Sequence, residues 1–157
     1  MGGWGANSYH CSATPYLDTS VLAPFYWNEA LTEKVEALFL AEVELSISHL
    51  VEVELISSLS RRVRMGEIAQ ASAQAIVQRF GEDIRQGLYK RVELDVEHFN
   101  QAQRWLGQFT TPLRTLDALH LAIVQVKGMR LVTADVKLAE SARFFGVAVQ
   151  DLNSTEN

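Results

Sequence analysis

The sequence has a single cysteine, Cys11, and no apolar run close to the roughly 20 residues that a membrane-spanning helix needs. One cysteine cannot form an internal disulfide, which is typical of proteins from a reducing compartment. The first residues also lack the charged start and apolar core of a secretory signal peptide. We therefore expect a cytoplasmic protein without a membrane anchor.

Positive charge is also scarce, with 14 Lys and Arg against 19 Asp and Glu and a formal net charge of −5. Proteins that coat nucleic acid non-specifically use many Lys and Arg contacts to phosphate, so this class is disfavoured. A local cluster remains in one segment, at Arg61, Arg62 and Arg64. Such a cluster forms either a phosphate-binding patch or a solvated helix end.

Two further kinds of catalytic motif are missing. No glycine-rich loop of the kind that binds nucleotide phosphates is present. No serine stands in a convincing catalytic order with His49, His98 or His120, and Cys11 lies in a glycine-rich leader. Nucleophilic catalysis by a side chain is therefore disfavoured.

The remaining pattern predicts one α/β domain. With 48% apolar residues, the chain can bury a sizeable core. Short β-branched or aliphatic runs alternate with segments of helical period, which indicates a three-layer α/β/α sandwich around a mostly parallel sheet of four to five strands. The predicted strands are 15–19, 43–48, 90–94, 129–133 and 147–149. The predicted helices are 21–27, 31–41, 49–64, 67–88, 96–109, 114–127 and 137–145. Residues 1–14 are expected to be a flexible extension, 15–152 the domain and 153–157 a short tail.

Four acidic residues interrupt apolar runs or follow predicted strands: Asp18, Glu54, Asp117 and Asp135. An isolated buried carboxylate costs several kcal/mol, and few cations are near these acids in the sequence. A shared Mg²⁺ or Mn²⁺ would compensate, because hard cations take oxygen ligands and can assist phosphodiester hydrolysis. Asp18 and Asp135 should point into one crevice at the carboxyl edge of the sheet. Asp117 should be buried, because the helix around it is apolar on nearly all sides.

Each acid also has a simpler interpretation. Asp18 could form a turn with the next two residues, Asp135 could be a helix N-cap, and Asp117 could bond amides at its own helix start. Glu54 could face water. On a helical wheel the apolar stripe of 49–64 centres near Glu52, and Glu54 shares a polar stripe with Ser57, Ser58 and Arg61. Glu52 is then expected to reach past the stripe to solvent.

Four segments together resemble the PIN-domain family, and most closely its VapC-type toxins. They are YLDTSVL at 16–22, SHLVEVEL at 48–55, RTLDALHLA at 114–122 and LVTADVKLA at 131–139. The resemblance implies a metal-dependent endoribonuclease that uses Mg²⁺ or Mn²⁺. It makes Asp18, Glu54, Asp117 and Asp135 the catalytic and metal-binding set, since Ser48, which opens the second segment, selects Glu54 over Glu52.

The resemblance also implies partners and supporting residues. Thr19, Ser20 and Thr133 match polar positions that support the acidic set, and Arg61, Arg62 and Arg64 would contact RNA or antitoxin. The implied partners are an RNA substrate such as transfer RNA, a cognate antitoxin and a second copy of the chain. His120 falls in the third segment, but a lone histidine on an apolar helix is expected to be a hydrogen-bonded core residue.

Two other functions fit parts of the pattern. A PIN module that binds RNA without cleaving it would need a broken acidic set, whereas all four positions are occupied here. A phosphotransfer domain also has an aspartate after its first strand. Phosphatases of the haloacid dehalogenase type need a second aspartate two residues later, where this chain has Ser20, and the match to response-regulator receivers is poor.

Overall fold

Five strands and seven helices form the part of the chain that the computed structural model describes, residues 13–27 and 30–154. The predicted extension, including Cys11, lies almost wholly outside the described residues, as do 155–157 of the predicted tail. In chain order the elements are β1 (Pro15–Leu17), α1 (Thr19–Trp27), α2 (Thr32–Ala41), β2 (Leu45–Ser48), α3 (His49–Arg64), α4 (Gln70–Arg85), β3 (Tyr89–Val92), α5 (Val96–Leu106), α6 (Thr115–Lys127), β4 (Arg130–Thr133), α7 (Val136–Phe144) and β5 (Val149–Asp151).

Every predicted strand and helix is present, and the differences are confined to element ends. The first predicted strand is two residues too long, because Thr19 already begins α1. The last predicted strand is two residues too early. The Val147 amide donates to the Ala142 carbonyl and closes the end of α7, so β5 begins only at Val149.

All five strands are parallel, in the order β3-β2-β1-β4-β5. From β1 the chain adds β2 and β3 on one side of the sheet, and it then crosses back to add β4 and β5 on the other side of β1. The topological switch point therefore lies between β1 and β4. Leu17 is in register with Val132, and the Asp18 amide donates to the Val132 carbonyl. In open parallel sheets, ligands bind outside the carboxyl ends of the strands at this point.

The sheet is the middle layer of an α/β/α sandwich. The central strands are buried on both faces, as Tyr16, Leu17, Ile47, Leu131 and Val132 are fully inaccessible to solvent, which is typical of a parallel sheet covered by helices on both sides. None of the helices in the two described ranges is both long enough and apolar enough to cross a bilayer.

Glu52, one of the two glutamates on helix α3, pairs with the sheet. Val51, Leu55 and Leu59 are buried against the core, and Glu52 borders this stripe. Instead of reaching past the stripe to solvent, as expected, the Glu52 carboxylate accepts two hydrogen bonds from the Arg91 guanidinium on β3, at 2.7 and 3.1 Å. Glu52 is therefore an ion-pair partner that connects α3 to the sheet.

Candidate acidic site at the carboxyl edge of the sheet

Helices and strands far apart in the sequence bring the four acids to one edge of the sheet. Asp18 directly follows β1, Glu54 lies in the second turn of α3, Asp117 in the first turn of α6, and Asp135 at the N-cap of α7. Glu54, Asp117 and Asp135 line one cleft of about 630 Å³. Asp18 is not among the lining residues and is only 5% exposed.

Asp18 is held by two hydroxyls that are themselves oriented by backbone amides. Ser20 donates to Oδ1 at 2.6 Å and Thr133 donates to Oδ2 at 2.7 Å. The Ser20 hydroxyl accepts a hydrogen bond from the backbone amide of Ala134 at 2.8 Å, and the Thr133 hydroxyl accepts one from the backbone amide of Asp135 at 2.9 Å. Each hydroxyl proton is therefore directed at Asp18. Burial raises the pKa of Asp18 to about 6, although these hydrogen bonds and His120 favour its charged form.

Glu54 is surrounded by donors. Its Oε2 accepts from the Thr19 hydroxyl at 3.0 Å and lies 2.7 Å from Nε2 of His120. Burial acts to raise the pKa of Glu54, but the hydrogen bond and charge of His120, with the Thr19 hydroxyl, hold that pKa below its ordinary value. Glu54 is thus an ionised carboxylate at the cleft wall.

His120 is a hydrogen-bonded buried residue, as expected, and is 2% exposed. The sequence did not reveal that one of its partners is a site acid. The Tyr16 hydroxyl lies 2.7 Å from His120 Nδ1 and 2.7 Å from the Ser48 hydroxyl. A chain of hydrogen bonds therefore runs from Glu54 through His120 and Tyr16 into the core. Because an ionised carboxylate only accepts, Nε2 must be the donor to Glu54. The spacing of three between Asp117 and His120, which places both on one face of α6, was the available signal.

Asp117 is half-buried at the cleft, so the expectation that it would be buried is wrong. The helix is apolar on most sides, but its first turn opens onto the cleft. Burial and the charges of Asp135 and Glu54 raise the pKa of Asp117, opposed by His120 and the Arg114 backbone. These acids are therefore near enough to destabilise one another's charges.

Asp135 combines two of the interpretations made from the sequence. Its Oδ1 caps α7 by accepting the amides of Lys137 and Leu138, at 2.9 and 3.1 Å. In the described part of the chain, its Oδ2 accepts no hydrogen bond, and the residue is exposed. One oxygen serves the helix and the other is available to a ligand in the cleft.

Two cations beyond those predicted from the sequence line the same cleft, Arg114 and Lys137. Within the described residues neither makes a hydrogen bond or ion pair through its side chain, and both are exposed. Arg114 lies three residues before Asp117, and Lys137 lies two residues after Asp135. Their positions next to these acids in the sequence would have indicated that they line the site. The acidic cleft thus has its own positive residues.

The three clustered arginines separate in space. Arg61 and Arg62 line a second pocket together with Thr19, Ser20 and Trp27. Arg64 lines the groove between α3 and α4, and its guanidinium donates to Ser60 at 2.7 Å. Only the first two arginines are therefore near the acids.

The donor chemistry of the cleft fits a divalent cation, because carboxylate oxygens are hard ligands and like charges there destabilise one another. The four-carboxylate arrangement expected from the sequence is nevertheless not preformed. Across residues 13–27 and 30–154, no group of three or more His, Cys, Asp or Glu side chains is arranged to hold a metal ion. Both Asp18 oxygens, Glu54 Oε2 and Asp135 Oδ1 are bonded to protein donors instead.

Comparison with known proteins agrees with this architecture. A family model described as the PIN domain matches residues 16–143. No protein with a curated description matches the sequence.

Three solved structures illustrate the likeness, which at these identities concerns the fold. VapC20 of Mycobacterium tuberculosis, described as a sarcin–ricin loop cleaving toxin, has a TM-score of 0.63 and 19% identity, over 82% of this chain and 95% of that chain. FitAcB from Neisseria gonorrhoeae has a TM-score of 0.67 and 16% identity, over 88% and 98%. VapBC2 from Rickettsia felis, bound to a DNA fragment from its promoter, has a TM-score of 0.64 and 15% identity, over 88% and 98%.

Proposed function

The chain belongs to the PIN-domain family, and from that membership we propose that it is a metal-dependent endoribonuclease, the toxin of a toxin–antitoxin pair. The observation that carries the proposal is the cleft in which Glu54, Asp117 and Asp135 meet at the switch point of the sheet, with Asp18 hydrogen-bonded to Thr133 behind it. The description of VapC20 as a toxin that cleaves the sarcin–ricin loop supports RNA as the substrate class.

Asp18, Glu54, Asp117 and Asp135 are the proposed ligands of Mg²⁺ or Mn²⁺. When bound, such an ion lowers the pKa of water and stabilises charge on the attacked phosphate and its leaving oxygen. All three acids of the cleft have a carboxylate oxygen that accepts no hydrogen bond from the described residues: Oε1 of Glu54, Oδ2 of Asp135 and at least one oxygen of Asp117. They are the first candidates for this role.

The chain's own residues prepare the site in three ways. His120 and Thr19 keep Glu54 ionised and fix its orientation. Ser20 and Thr133 orient Asp18. Arg114 and Lys137, at the cleft wall, contact RNA phosphates and offset the repulsion between RNA and the carboxylates.

The proposal includes two protein partners and a place in the cell. A structure described as a toxin–antitoxin complex from Klebsiella pneumoniae shares this fold, and an acidic cleft suits an antitoxin that inserts an arginine where the cation would bind. A homodimer is proposed because apolar side chains such as Phe99 and Phe144 are exposed, at 46% and 60%. The protein is proposed to act in the cytoplasm.

The test is cleavage of labelled RNA by the purified chain. We expect cleavage with Mg²⁺ or Mn²⁺, none with a chelator, none for Asp18→Asn, and no hydrolysis of a small phosphomonoester. Undiminished cleavage in chelator would contradict the metal requirement. Phosphomonoester hydrolysis would instead favour a phosphotransfer enzyme.

A second candidate is a PIN module that binds RNA without cleaving it. It is favoured by one observation, the lack of a preformed metal-binding group among the described residues. RNA binding without cleavage at any Mg²⁺ or Mn²⁺ concentration would select this candidate.

A further inference from the structure

A second pocket of about 390 Å³ lies beside the acidic cleft, between α1 and the last turns of α3. We call it the Trp27 pocket, after the aromatic residue that lines it together with Thr19, Arg61 and Arg62. Its residues Trp27, Arg61 and Arg62 have no part in the roles given above to the four carboxylates.

The Trp27 pocket and the acidic cleft share a wall. Thr19 lines the pocket and donates to Glu54 of the cleft at 3.0 Å. Along α3, Glu54, Ser58 and Arg61 follow one another on a single helix face, with Ser58 and Arg61 in the pocket. Arg61 is seven positions after Glu54 along the helix, a rise of about 10 Å at 1.5 Å per residue. A short stretch of an extended polymeric ligand would therefore reach from the Trp27 pocket to the acidic cleft.

The residues of the Trp27 pocket combine a flat surface with positive charge. The Arg62 guanidinium lies over the Trp27 ring, 4.9 Å from its centroid, and is 3.8 Å from Glu67. Arg61 is exposed, and its side chain makes no ion pair or hydrogen bond with any described residue. The charge of Arg62 is thus partly offset by Glu67, whereas that of Arg61 is not.

Aromatic rings that stack on bases, beside cations that bind phosphates, are the features by which proteins hold single-stranded nucleic acid. We propose that the Trp27 pocket binds a nucleotide of single-stranded RNA adjacent to the phosphodiester bond cleaved at the acidic site. Its base stacks on the surface formed by Trp27 and Arg62, and Arg61 binds a neighbouring phosphate. This inference depends on the proposed ribonuclease function and specifies its substrate as RNA that is unpaired beside the cleavage position.

The test measures binding of a labelled single-stranded RNA oligonucleotide by anisotropy at several salt concentrations, in chelator and on an Asp18→Asn background. Arg61→Gln is expected to reduce the slope of log Kd against log salt concentration by about 0.7, the value for one phosphate contact on a single strand. Trp27→Leu is expected to weaken binding roughly tenfold with the slope unchanged, because stacking is not ionic.

Arg64→Gln is the matched control, since Arg64 is an exposed arginine of the same helix that lines the groove between α3 and α4. It should leave both affinity and slope unchanged. Because Trp27 packs against the core, Trp27→Phe, which keeps a stacking ring, is measured alongside Trp27→Leu, with thermal unfolding of each. If Trp27→Leu is unfolded, the salt slope of Arg61→Gln decides.

The proposal is overturned if Arg61→Gln and Trp27→Leu bind RNA with the affinity and slope of Arg64→Gln. It is equally overturned if these variants keep RNA binding and lose only binding to a purified antitoxin, since the pocket would then be a protein interface. Neither result affects the ribonuclease assignment, which fails only if the unaltered chain cleaves no RNA.

Discussion

His120 Nε2 lies 2.7 Å from Oε2 of Glu54, and this contact joins α6 to α3 across the carboxyl edge of the sheet. The histidine is buried behind the cleft, whereas the glutamate forms part of its wall. The ring is fixed from behind by the Tyr16 hydroxyl. His120 is therefore a positioning residue, which acts on the site through the orientation and charge of Glu54.

Replacing His120 by Asn should reduce RNA cleavage by roughly 10- to 100-fold, the usual effect of losing a partner that orients a metal-binding side chain. The apparent affinity for Mg²⁺ should fall as well, because Glu54 loses the group that keeps it ionised. Cleavage rates over a Mg²⁺ titration measure both effects. Tyr16→Phe, which keeps the histidine and removes one hydrogen bond to it, should show a smaller loss. Equal rates and equal Mg²⁺ dependence for His120→Asn and the unaltered protein would exclude a positioning role.

Asp18→Asn should abolish cleavage and increase stability at neutral pH in chelator. The pKa of Asp18 is about 6 in the folded protein against 3.8 as its ordinary value. Between these values the folded state holds a proton that the unfolded state has lost, so stability falls as the pH rises through this window. Asparagine has no such charge, and the gain at pH 7 should be about 2 to 3 kcal/mol.

Urea unfolding at pH 7 and at pH 3.5 measures this effect. At the lower pH the aspartate is protonated in the folded state and largely protonated in the unfolded state, so the difference between the two proteins should nearly vanish. A stability loss for Asp18→Asn at pH 7 would mean that the buried carboxylate is stabilising.

Thr133→Val should impair both cleavage and stability, because one hydroxyl accepts the Asp135 amide and donates to Asp18. Valine has nearly the same shape but leaves both groups without this partner, at a cost of about 1–3 kcal/mol for a buried unsatisfied group. Thr133→Ser restores the hydroxyl and should recover most of the cleavage rate. Thermal unfolding and cleavage rates of the two variants measure these effects, and undiminished stability and cleavage in Thr133→Val would contradict a role for the hydroxyl.

Arg114→Gln and Lys137→Gln should raise the KM for RNA several-fold and change kcat little, since these residues line the cleft and would contact phosphates. The effect should decrease at higher salt, where ionic contacts to RNA weaken. Lys90→Gln is a suitable control, because Lys90 is paired with Glu44 and lines a different pocket. A rise in KM of the same size for Lys90→Gln would indicate a general loss of positive charge.

The sequence allowed the elements and their order to be predicted because both depend on local patterns. Short segments rich in β-branched or aliphatic residues became parallel strands, and segments of helical period became the seven helices of the described ranges. The acids Asp18 and Asp135 could be assigned to one edge because the carboxyl ends of parallel strands meet there. The burial of Asp117 was predicted wrongly, since periodicity describes a whole helix and not the opening at its first turn.

The sequence by itself determined the fold class, through periodicity. It also proposed the acids, through the strands that Asp18 and Asp135 follow, the apolar helix around Asp117 and, for Glu54, the family resemblance. Only the tertiary structure decided which groups contact those acids. His120 and Glu54 are 66 residues apart in the chain, and Thr133 and Asp18 are 115 apart. Such contacts depend on how each helix packs on the sheet. For the same reason Arg61 faces the Trp27 pocket and Arg64 the groove between α3 and α4, although the two are a single turn apart on one helix.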